Sequence, residues 1–364
     1  MTSPDDELTA ALTHTLRHHA EEAPSTDGLP EKAMAIATRR RRRRVNASIA
    51  AIVVLVVGVP VAVMRTVDGG NGTPSGPAVA AKADQADPGR RWESYHGVEV
   101  QVPEDWGYGI FQLTPCLSQE TREKWHAQPG VVGRPGPIAA VGCTIDWRPS
   151  DFWENWLVFA DNGKVGKDEF EGGWVKETRR INGVFVSVFS KDAALRKSIF
   201  DTARPVGGID ANGCPSDHPV TADPGSYRPD AGGGLPPTDT VTSISVCRYA
   251  LKSLSTPSLL SSGRITGRTA EEAVDALRSA PEGVGPDSEN GTPGRFGEEI
   301  SVVRLNTAGG THEVVVRYGN EVGNGFDDGT TKRRLTADTL RLLFSKGNHP
   351  GTFNVSVADL MPRQ

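Results

Sequence analysis

The chain has 364 residues, 37% of them hydrophobic, and a formal net charge of −5. This length predicts more than one domain, and a mildly acidic balance argues against binding of nucleic acid or other polyanions through bulk charge. No Cys-x-x-Cys pair occurs among the four cysteines, so neither a zinc ribbon nor a thioredoxin-like site is expected.

Residues 1–44 predict a short cytoplasmic stub. Leu8, Leu12 and Leu16 recur at helical spacing among charged side chains, which is typical of an amphipathic helix. Such a helix could contact a cytoplasmic regulatory protein. The stub is too short to bury a core of its own, so the alternative is a disordered tail or one that lies on the membrane.

An arginine run directly precedes a long apolar segment, residues 45–64. Twenty helical residues match the roughly 30 Å hydrocarbon core of a bilayer. The cytoplasmic end of the span is set by Arg39, Arg40, Arg41, Arg42, Arg43 and Arg44. A cleaved signal peptide is the alternative, but the run is long for one, and the nearest Ala-x-Ala sites lie well beyond its end. We therefore expect a single-pass membrane protein with a cytoplasmic N-terminus and an extracytoplasmic C-terminus.

The chain beyond the span divides by composition into four segments. Residues 65–90 are rich in Gly, Pro, Ala and Asp and predict a flexible tether. Residues 91–205 and 238–362 predict two extracytoplasmic modules, and the Pro- and Gly-rich residues 206–237 predict a linker between them. Hairpins and separate helices mix in both modules, which indicates α+β folds rather than a parallel α/β sheet.

The first module contains a strand, a hairpin and a helix that the sequence marks clearly. Residues 97–103 alternate apolar and polar side chains and predict a half-buried strand. Residues 174–181 and 184–189 flank Asn182-Gly183, a pair that favours a type I′ turn. Ser190 is predicted to cap a helix that ends at Thr202.

The second module is predicted to begin with a strand at residues 240–249. Thr269 and Glu272 form a Thr-x-x-Glu capping box that predicts the start of a helix ending at Ala280. Residues 299–305 and 312–318 predict a hairpin across a Gly-Gly pair, and residues 335–344 predict the last helix.

The cysteines are Cys116, Cys143, Cys214 and Cys247, all on the predicted outer side. An even number in an oxidising compartment predicts two disulfides, for which three pairings are possible. We favour Cys116 with Cys143 and Cys214 with Cys247, because each pair then cross-links one module. Each disulfide would contribute roughly 3–4 kcal/mol to stability.

Motifs of catalysis, cofactor binding and metal binding are missing from the sequence. It contains no Walker loop, Gly-x-Ser-x-Gly elbow or His-Glu-x-x-His pair. His14 and His18 lie four residues apart, but two ligands without a nearby cysteine do not predict a metal site. The acidic residues 325–329 predict a tight turn rather than a calcium loop, because the Asp-x-Asp-x-Asp-Gly register is missing. We therefore assign no catalytic, cofactor or metal residue.

An aromatic cluster surrounds Trp147, Trp153 and Trp156. Polar side chains separate these rings, so the tryptophans could stack on the sugar rings of a cell-wall glycan. The alternative is that they form part of the core of the first module, because large aromatic side chains often dominate packing.

The layout resembles a group of actinobacterial single-span membrane proteins, with a two-module extracytoplasmic domain, that are often encoded beside extracytoplasmic-function sigma factors. The stub with its arginines, residues 100–107, residues 132–137 and residues 325–330 carry the resemblance. It implies the same membrane architecture and a role in envelope signalling. Similar proteins carry further cysteines near the last hairpin, which this chain lacks, so no third disulfide is expected.

Three functions follow from these features. The first is a non-enzymatic cell-envelope sensor or regulator linked to a cytoplasmic partner such as a sigma factor. The second is an outer domain that binds cell-wall glycan, with an N-terminus that only anchors it. The third is an extracytoplasmic hydrolase, for which no nucleophile and base stand out.

Overall fold

The computed structural model of the chain describes residues 84–109, 129–135, 153–230, 234–251, 258–345 and 348–362. The predicted stub, the span and most of the tether lie outside the described residues, as do Cys116, Cys143 and Trp147. Within those ranges, no helix is long and apolar enough to cross a membrane. The described residues form an α+β fold, as predicted, with far more sheet than helix.

The first part of the fold contains two sheets. One is antiparallel and consists of β1 (Arg90–Tyr95), β2 (Val98–Pro103) and β9 (Arg204–Pro205), paired in that order. The other contains β3 (Gly107–Tyr108), β4 (Val131–Gly133), β5 (Trp156–Ala160), β6 (Gly166–Glu169), β7 (Val175–Ile181) and β8 (Val184–Ser190). Its strand order is β3-β4-β5-β8-β7-β6, with parallel pairing only between β3, β4 and β5.

The hairpin of β7 and β8 confirms the prediction made from Asn182-Gly183. Asn182 has a φ of 45° and Gly183 a φ of 91°, so both central residues of the turn have the positive φ that a type I′ turn requires. The helix that follows, α1 (Ala193–Thr202), turns Ile199 and Phe200 into a core shared with both sheets.

Strand β2 is buried on both faces, so the prediction of a half-buried strand was wrong. Val98, Val100 and Val102 are fully buried in the core beneath α1, as their alternation predicts. Glu99 and Gln101 on the opposite face are also only 3% and 5% exposed. Their burial is possible because the packing of a later part of the chain supplies polar partners, which the local pattern does not reveal.

The second part of the fold is one antiparallel sheet with helices on one face. Its strands are β10 (Val241–Ala250), β11 (Leu259–Thr266), β12 (Glu299–Thr307), β13 (Gly310–Arg317), β14 (Gly325–Asp327) and β15 (Lys332–Arg333). They pair in the order β11-β10-β12-β13-β14-β15. Helices α2 (Gly267–Ser279) and α3 (Ala337–Phe344) pack on one face of this sheet. The predicted first strand, the Gly-Gly hairpin and both helices are therefore confirmed, within a few residues at their ends.

The other face of this sheet is covered by the segment predicted as the linker. Cys214 and Val220 from that segment are fully buried against Cys247, Tyr249 and Val302. Apolar residues on both faces of the sheet are therefore buried.

Short 3₁₀ helices occur at Glu171–Gly173, Pro219–Thr221, Thr238–Thr240 and Val355–Leu360.

Two predicted helix caps differ from the observed ones. Asp192, not Ser190, caps α1, and its carboxylate accepts hydrogen bonds from the backbone N–H groups of Ala194 and Leu195 at 2.8 and 3.1 Å. Helix α2 begins two residues before Thr269, and Thr266 at its N-cap makes no side-chain capping bond. The predicted capping box is therefore not formed, because Thr269 lies inside the first turn.

Replacing Asp192 with alanine should lower the free energy of unfolding by about 1 kcal/mol, because two backbone donors lose their acceptor. Thr269→Ala should change it by less than about 0.5 kcal/mol, because that side chain is exposed and caps nothing. Urea unfolding of both variants measures the difference. Equal losses would contradict this assignment of the caps.

Candidate functional site

A buried polar network joins the two parts of the fold at strands β1 and β11. The backbone N–H of His96 donates to the carbonyl of Leu260 at 3.0 Å, and the N–H of Ser262 donates to Ser94 Oγ at 3.0 Å. Asp210 lies beside them, 3% exposed, and its carboxylate accepts from Ser262 Oγ and from the backbone N–H of Cys214. This network fixes the contact between β1 and β11 and leaves the Asp210 carboxylate out of contact with water.

Burial raises the pKa of Asp210 from 3.8 to about 6, although the hydrogen bonds from Ser262 and Cys214 oppose the shift; the nearby charge of Glu99 adds to it. Between pH 4 and pH 6 the folded protein therefore holds a proton that the unfolded chain releases. The contribution of this group to stability is full below about pH 4 and is lost as the pH rises through 6.

Asp210→Asn should consequently raise the free energy of unfolding by about 1–3 kcal/mol at pH 7.5 and give no gain at pH 4. The amide retains an oxygen that can accept from the backbone and adds an N–H that can donate to Ser262. Urea unfolding at both pH values measures the difference, with the exposed Asp239→Asn as the control that should show no pH-dependent gain. A gain of equal size at both pH values would contradict the burial of a charge as its cause.

Two of the tryptophans predicted as stacking residues lie in an aromatic cluster. The rings of Trp156 and Trp174 both stack on Phe189, with centroids 5.2 and 4.7 Å away. The ring of Trp153 meets Trp174 and Phe189 edge to face, at 6.0 and 5.5 Å. Trp156 is only 7% exposed, and its ring face is occupied by Phe189. The structure therefore brings these tryptophans together by packing among side chains of the protein itself.

The predicted disulfide between Cys214 and Cys247 is present. Both residues are fully buried, and their Cα atoms are 5.5 Å apart. The bond attaches the segment after β9 to the centre of strand β10. Arg39 to Arg44 and the leucines of the stub lie outside the described residues, so their predicted roles stay predictions.

A second buried polar group surrounds Glu313 on the disulfide face of the sheet. His218 Nε2 lies 3.2 Å from Glu313 Oε2, and the Tyr227 hydroxyl donates to the same oxygen at 3.2 Å. Arg304 forms an ion pair with Oε1 at 3.1 Å. Burial alone would raise the pKa of Glu313, but the bond from His218 and the charge of Arg304 hold it below its usual range.

Both ring nitrogens of His218 are engaged in this group. Nδ1 accepts the backbone N–H of Val220 at 3.2 Å, so Nε2 must carry the proton that is donated to Glu313. A general base needs a free nitrogen within reach of a substrate. His218 therefore orients the chain over the sheet and offers no nitrogen for proton transfer in this arrangement.

The acidic segment predicted as a tight turn, residues 325–329, forms strand β14 as far as Asp327 and turns from Asp328, whose backbone N–H donates to the carbonyl of Thr331 at 3.3 Å. Asp327 accepts bonds from Arg228 at 2.9–3.1 Å on both carboxylate oxygens, and Asp328 accepts from the backbone N–H groups of Thr330 and Thr331. Gly329 has a φ of 86°, and a Cβ there would lie 2.3 Å from the Pro229 carbonyl oxygen. Both carboxylates are thus occupied by protein donors, and the described residues contain no group of three or more potential metal ligands.

This turn borders a cleft made by the long loop between α2 and β12, residues 280–298. The loop is held in place by Asp287, whose carboxylate accepts the backbone N–H groups of Gly323 and Asn324 at 3.0 and 2.9 Å. The backbone N–H of Gly285 also donates to the carbonyl of Asn324 at 2.7 Å. Loops of this length in compact domains are uncommon unless they have a function.

The cleft contains two cavities that share Gly294 and Phe296 in their walls. One has a volume of about 260 Å³ and the other about 550 Å³. The smaller is bordered by apolar side chains, glycines and a set of polar groups: Val284, Pro293, Phe296, Val322, Phe326, Gly225, Gly294, Gly323, Gly325, Arg317, Asn320, Asp327 and Lys332. A concave site with apolar walls and a few convergent polar groups is the usual form of a small-molecule site.

Arg317 is the more deeply buried of the two cations that line the smaller cavity, with 8% of its side chain exposed. Its Nε and Nη2 atoms donate to the carbonyls of Pro224 and Tyr227 at 3.0 and 2.6 Å, and Nη1 lies 3.7 Å from Asp327. Burial lowers the pKa of Arg317, and the charge of Asp327 opposes this. The cation is therefore only partly compensated by the protein.

The sequence contains a signal for this site that is not a catalytic or ligand-binding motif. Arg317 ends a strand of apolar residues, and the 280–298 loop is long and rich in Gly and Pro. The cleft offers cations and apolar walls, which are suited to binding a ligand. Comparison of the chain with protein-family models, with curated proteins and with solved structures gave no match.

Proposed function

We propose that the chain is a single-span, non-enzymatic protein of the cell envelope, whose outer α+β domain reports the state of the envelope to a cytoplasmic partner such as a sigma factor. The N-terminal stub lies in the cytoplasm in this proposal. The C-terminal domain lies outside the membrane.

The observation that carries the proposal is the buried disulfide between Cys214 and Cys247. Structural disulfides persist in oxidising compartments and are rare in the cytosol. The arginine run and apolar segment of residues 39–64 precede this domain, and a basic run on one side of a span marks the cytoplasmic end. Together they support placing the two ends of the chain on opposite sides of a membrane.

The leucine stripe of the stub supports a partner on the cytoplasmic side. Leu8, Leu12 and Leu16 would form a narrow apolar face on a helix that has no core of its own. A partner could bury that face, as in helix-in-groove recognition. The cleft beside Phe296 supports a receptor role for the outer domain, because it offers a concave binding site.

Affinity capture from native membranes tests the proposal. The tagged full chain is compared with a version that lacks residues 1–37 and retains the arginines and the apolar run. We expect a cytoplasmic protein with the full chain and its loss on truncation. The same loss is expected for Leu12→Asp but not for Ala10→Asp, which lies on the opposite side of the predicted helix.

Recovery of only wall material by both versions would overturn the sensor proposal in favour of the glycan-binding alternative. Turnover of an envelope substrate that a single Asp or His substitution abolishes would overturn it in favour of a hydrolase. The compartment is checked separately, by mass spectrometry of unreduced peptides from native membranes. A reduced Cys214 in those membranes would contradict an extracytoplasmic domain.

A further inference from the structure

We propose that the cavity of about 260 Å³ beside Phe296 binds a small organic monoanion, an apolar compound that carries one carboxylate. This inference deepens the proposed sensor role: it rests on that role for the claim that the bound compound is the signal that the outer domain detects. Binding itself can be measured without any cytoplasmic partner, so failure of one proposal leaves the other standing.

Charged side chains of β13, β14 and β15 lie on one face of the sheet. Asp327 on β14 pairs directly with Lys332 on β15 and with Val315 on β13. Side chains opposite each other in adjacent strands point to the same face, and residues two apart in a strand do so as well. Arg317 and Lys332 therefore reach the cavity from the same side as Asp327.

Among the described residues lining the cavity, two are cationic and one is acidic. The Asp327 carboxylate already accepts three hydrogen bonds from Arg228 and one from the backbone N–H of Gly329. Arg317 lies 3.7 Å from that same carboxylate; the charge of Asp223 also stabilises the guanidinium, whereas the charge of Arg228 opposes it. Lys332 is exposed at the mouth of the cavity and forms no ion pair with a described residue.

The Nη1 atom of Arg317 has no hydrogen-bond acceptor among the described residues. Arg317 Nε and Nη2 bond to backbone carbonyls, whereas Nη1 has only Asp327 at 3.7 Å, beyond hydrogen-bonding distance. A guanidinium donates readily to a carboxylate, and such charge-assisted bonds are stronger than neutral ones. A bound carboxylate could accept from Arg317 Nη1 and from the Lys332 ammonium.

Apolar side chains of the cavity would contact the body of the ligand. Val284, Pro293, Phe296 and Val322 form apolar walls. The Phe296 ring lies so close to Gly225 that a Cβ there would be 2.6 Å from the ring. The ring is thus held against the backbone and can present its other side to a ligand. The volume is slightly below that of sites for drug-sized molecules, so a small compound is expected.

A dianion such as phosphate fits this cavity less well. Asp327 faces the same space and would repel a second negative charge. Among the described residues that line the cavity, none lies at a helix N-terminus, which phosphate sites often use. These features favour one carboxylate over a phosphate group.

The test is equilibrium dialysis of the full chain in lipid nanodiscs with defined probes. The probes are 3-phenylpropionate, its neutral analogue 3-phenylpropionamide, acetate and inorganic phosphate. We expect 3-phenylpropionate to bind with a dissociation constant of roughly 1 mM or lower, as for an efficient ligand of this size. The amide, acetate and phosphate should each bind at least about tenfold more weakly, since each lacks one of the features that the site recognises.

Lys332→Gln should weaken binding of 3-phenylpropionate about fivefold or more, because one charge-assisted contact is lost. The matched control is Lys164→Gln, an exposed lysine in the first part of the fold, which should leave binding unchanged. Circular dichroism confirms that both variants are folded. Equal binding of acid and amide, equal binding of phosphate, no effect of Lys332→Gln, or no binding of 3-phenylpropionate at 10 mM would each overturn the proposal.

Discussion

Glu93→Ala should lower the free energy of unfolding by about 3–5 kcal/mol, because it removes the buried carboxylate with which Arg91 and Arg134 pair. The Glu93 side chain is 2% exposed. Its Oε1 atom accepts from Arg91 Nε at 2.7 Å and from the Tyr108 hydroxyl at 2.5 Å, and Oε2 accepts from Arg134. Urea unfolding of the full chain, followed by tryptophan fluorescence, measures the loss.

Two further variants separate the charge from the packing. Glu93→Gln keeps the size of the side chain and one acceptor oxygen but removes the negative charge. Most of the loss in the free energy of unfolding should therefore remain in this variant. Glu104→Ala removes an exposed carboxylate nearby and should change stability by less than about 0.5 kcal/mol. If Glu93→Ala cost less than about 1 kcal/mol, the carboxylate would not be an essential partner of Arg91 and Arg134.

The double substitution of Cys214 and Cys247 by alanine should cost about 3–4 kcal/mol. The disulfide links residues 33 positions apart in the sequence, and removing it restores the conformational entropy of that loop in the unfolded chain. Chemical unfolding of the full chain under oxidising conditions measures the change.

The dependence of the free energy of unfolding on urea concentration identifies the cause of this loss of stability. An unfolded chain without the cross-link is more expanded, so the slope of stability against urea concentration should increase. Loss of packing in the core around Tyr249 and Val302 alone would leave the slope unchanged. A loss below about 1 kcal/mol at an unchanged slope would contradict the entropic account.

The elements predicted correctly are those whose signal lies within a few neighbouring residues. Asn182-Gly183 favours positive φ at both positions, so the turn and the register of its two strands follow from local geometry. The capping-box spacing of Thr269 and Glu272 likewise predicted a helix where α2 lies, although the box itself is not formed. The pairing of Cys214 with Cys247 was one of three possibilities, favoured only because it is local.

The incorrect predictions arose where two local signals competed or a distant segment decided. Ser190 does bond to the backbone, through Oγ to the N–H of Asp192, but Asp192 is the side chain placed at the start of α1. The alternation in β2 predicted exposed Glu99 and Gln101. Arg204, Ala211 and Thr202 bond to those side chains or to their backbone and thereby cover that face.

The candidate site was also predicted only where its signal is local. The turn within residues 325–329 was predicted from the sequence, because Asp and Gly favour turns, but the strand that leads into it was not. Its position beside Arg317, Phe296 and Lys332 was not recognised, because strand pairing and the 280–298 loop bring these residues together.

The sequence by itself determined the α+β class, the positions of the hairpins and helices, and the expectation of a membrane-anchored envelope protein. These follow from periodicity, turn chemistry and the adjacency of charge and apolar residues, which are short-range properties. Only the tertiary structure decided which polar groups are buried, which carboxylates are already paired and where a cavity lies. Those depend on contacts between residues tens to hundreds of positions apart, which local patterns do not specify.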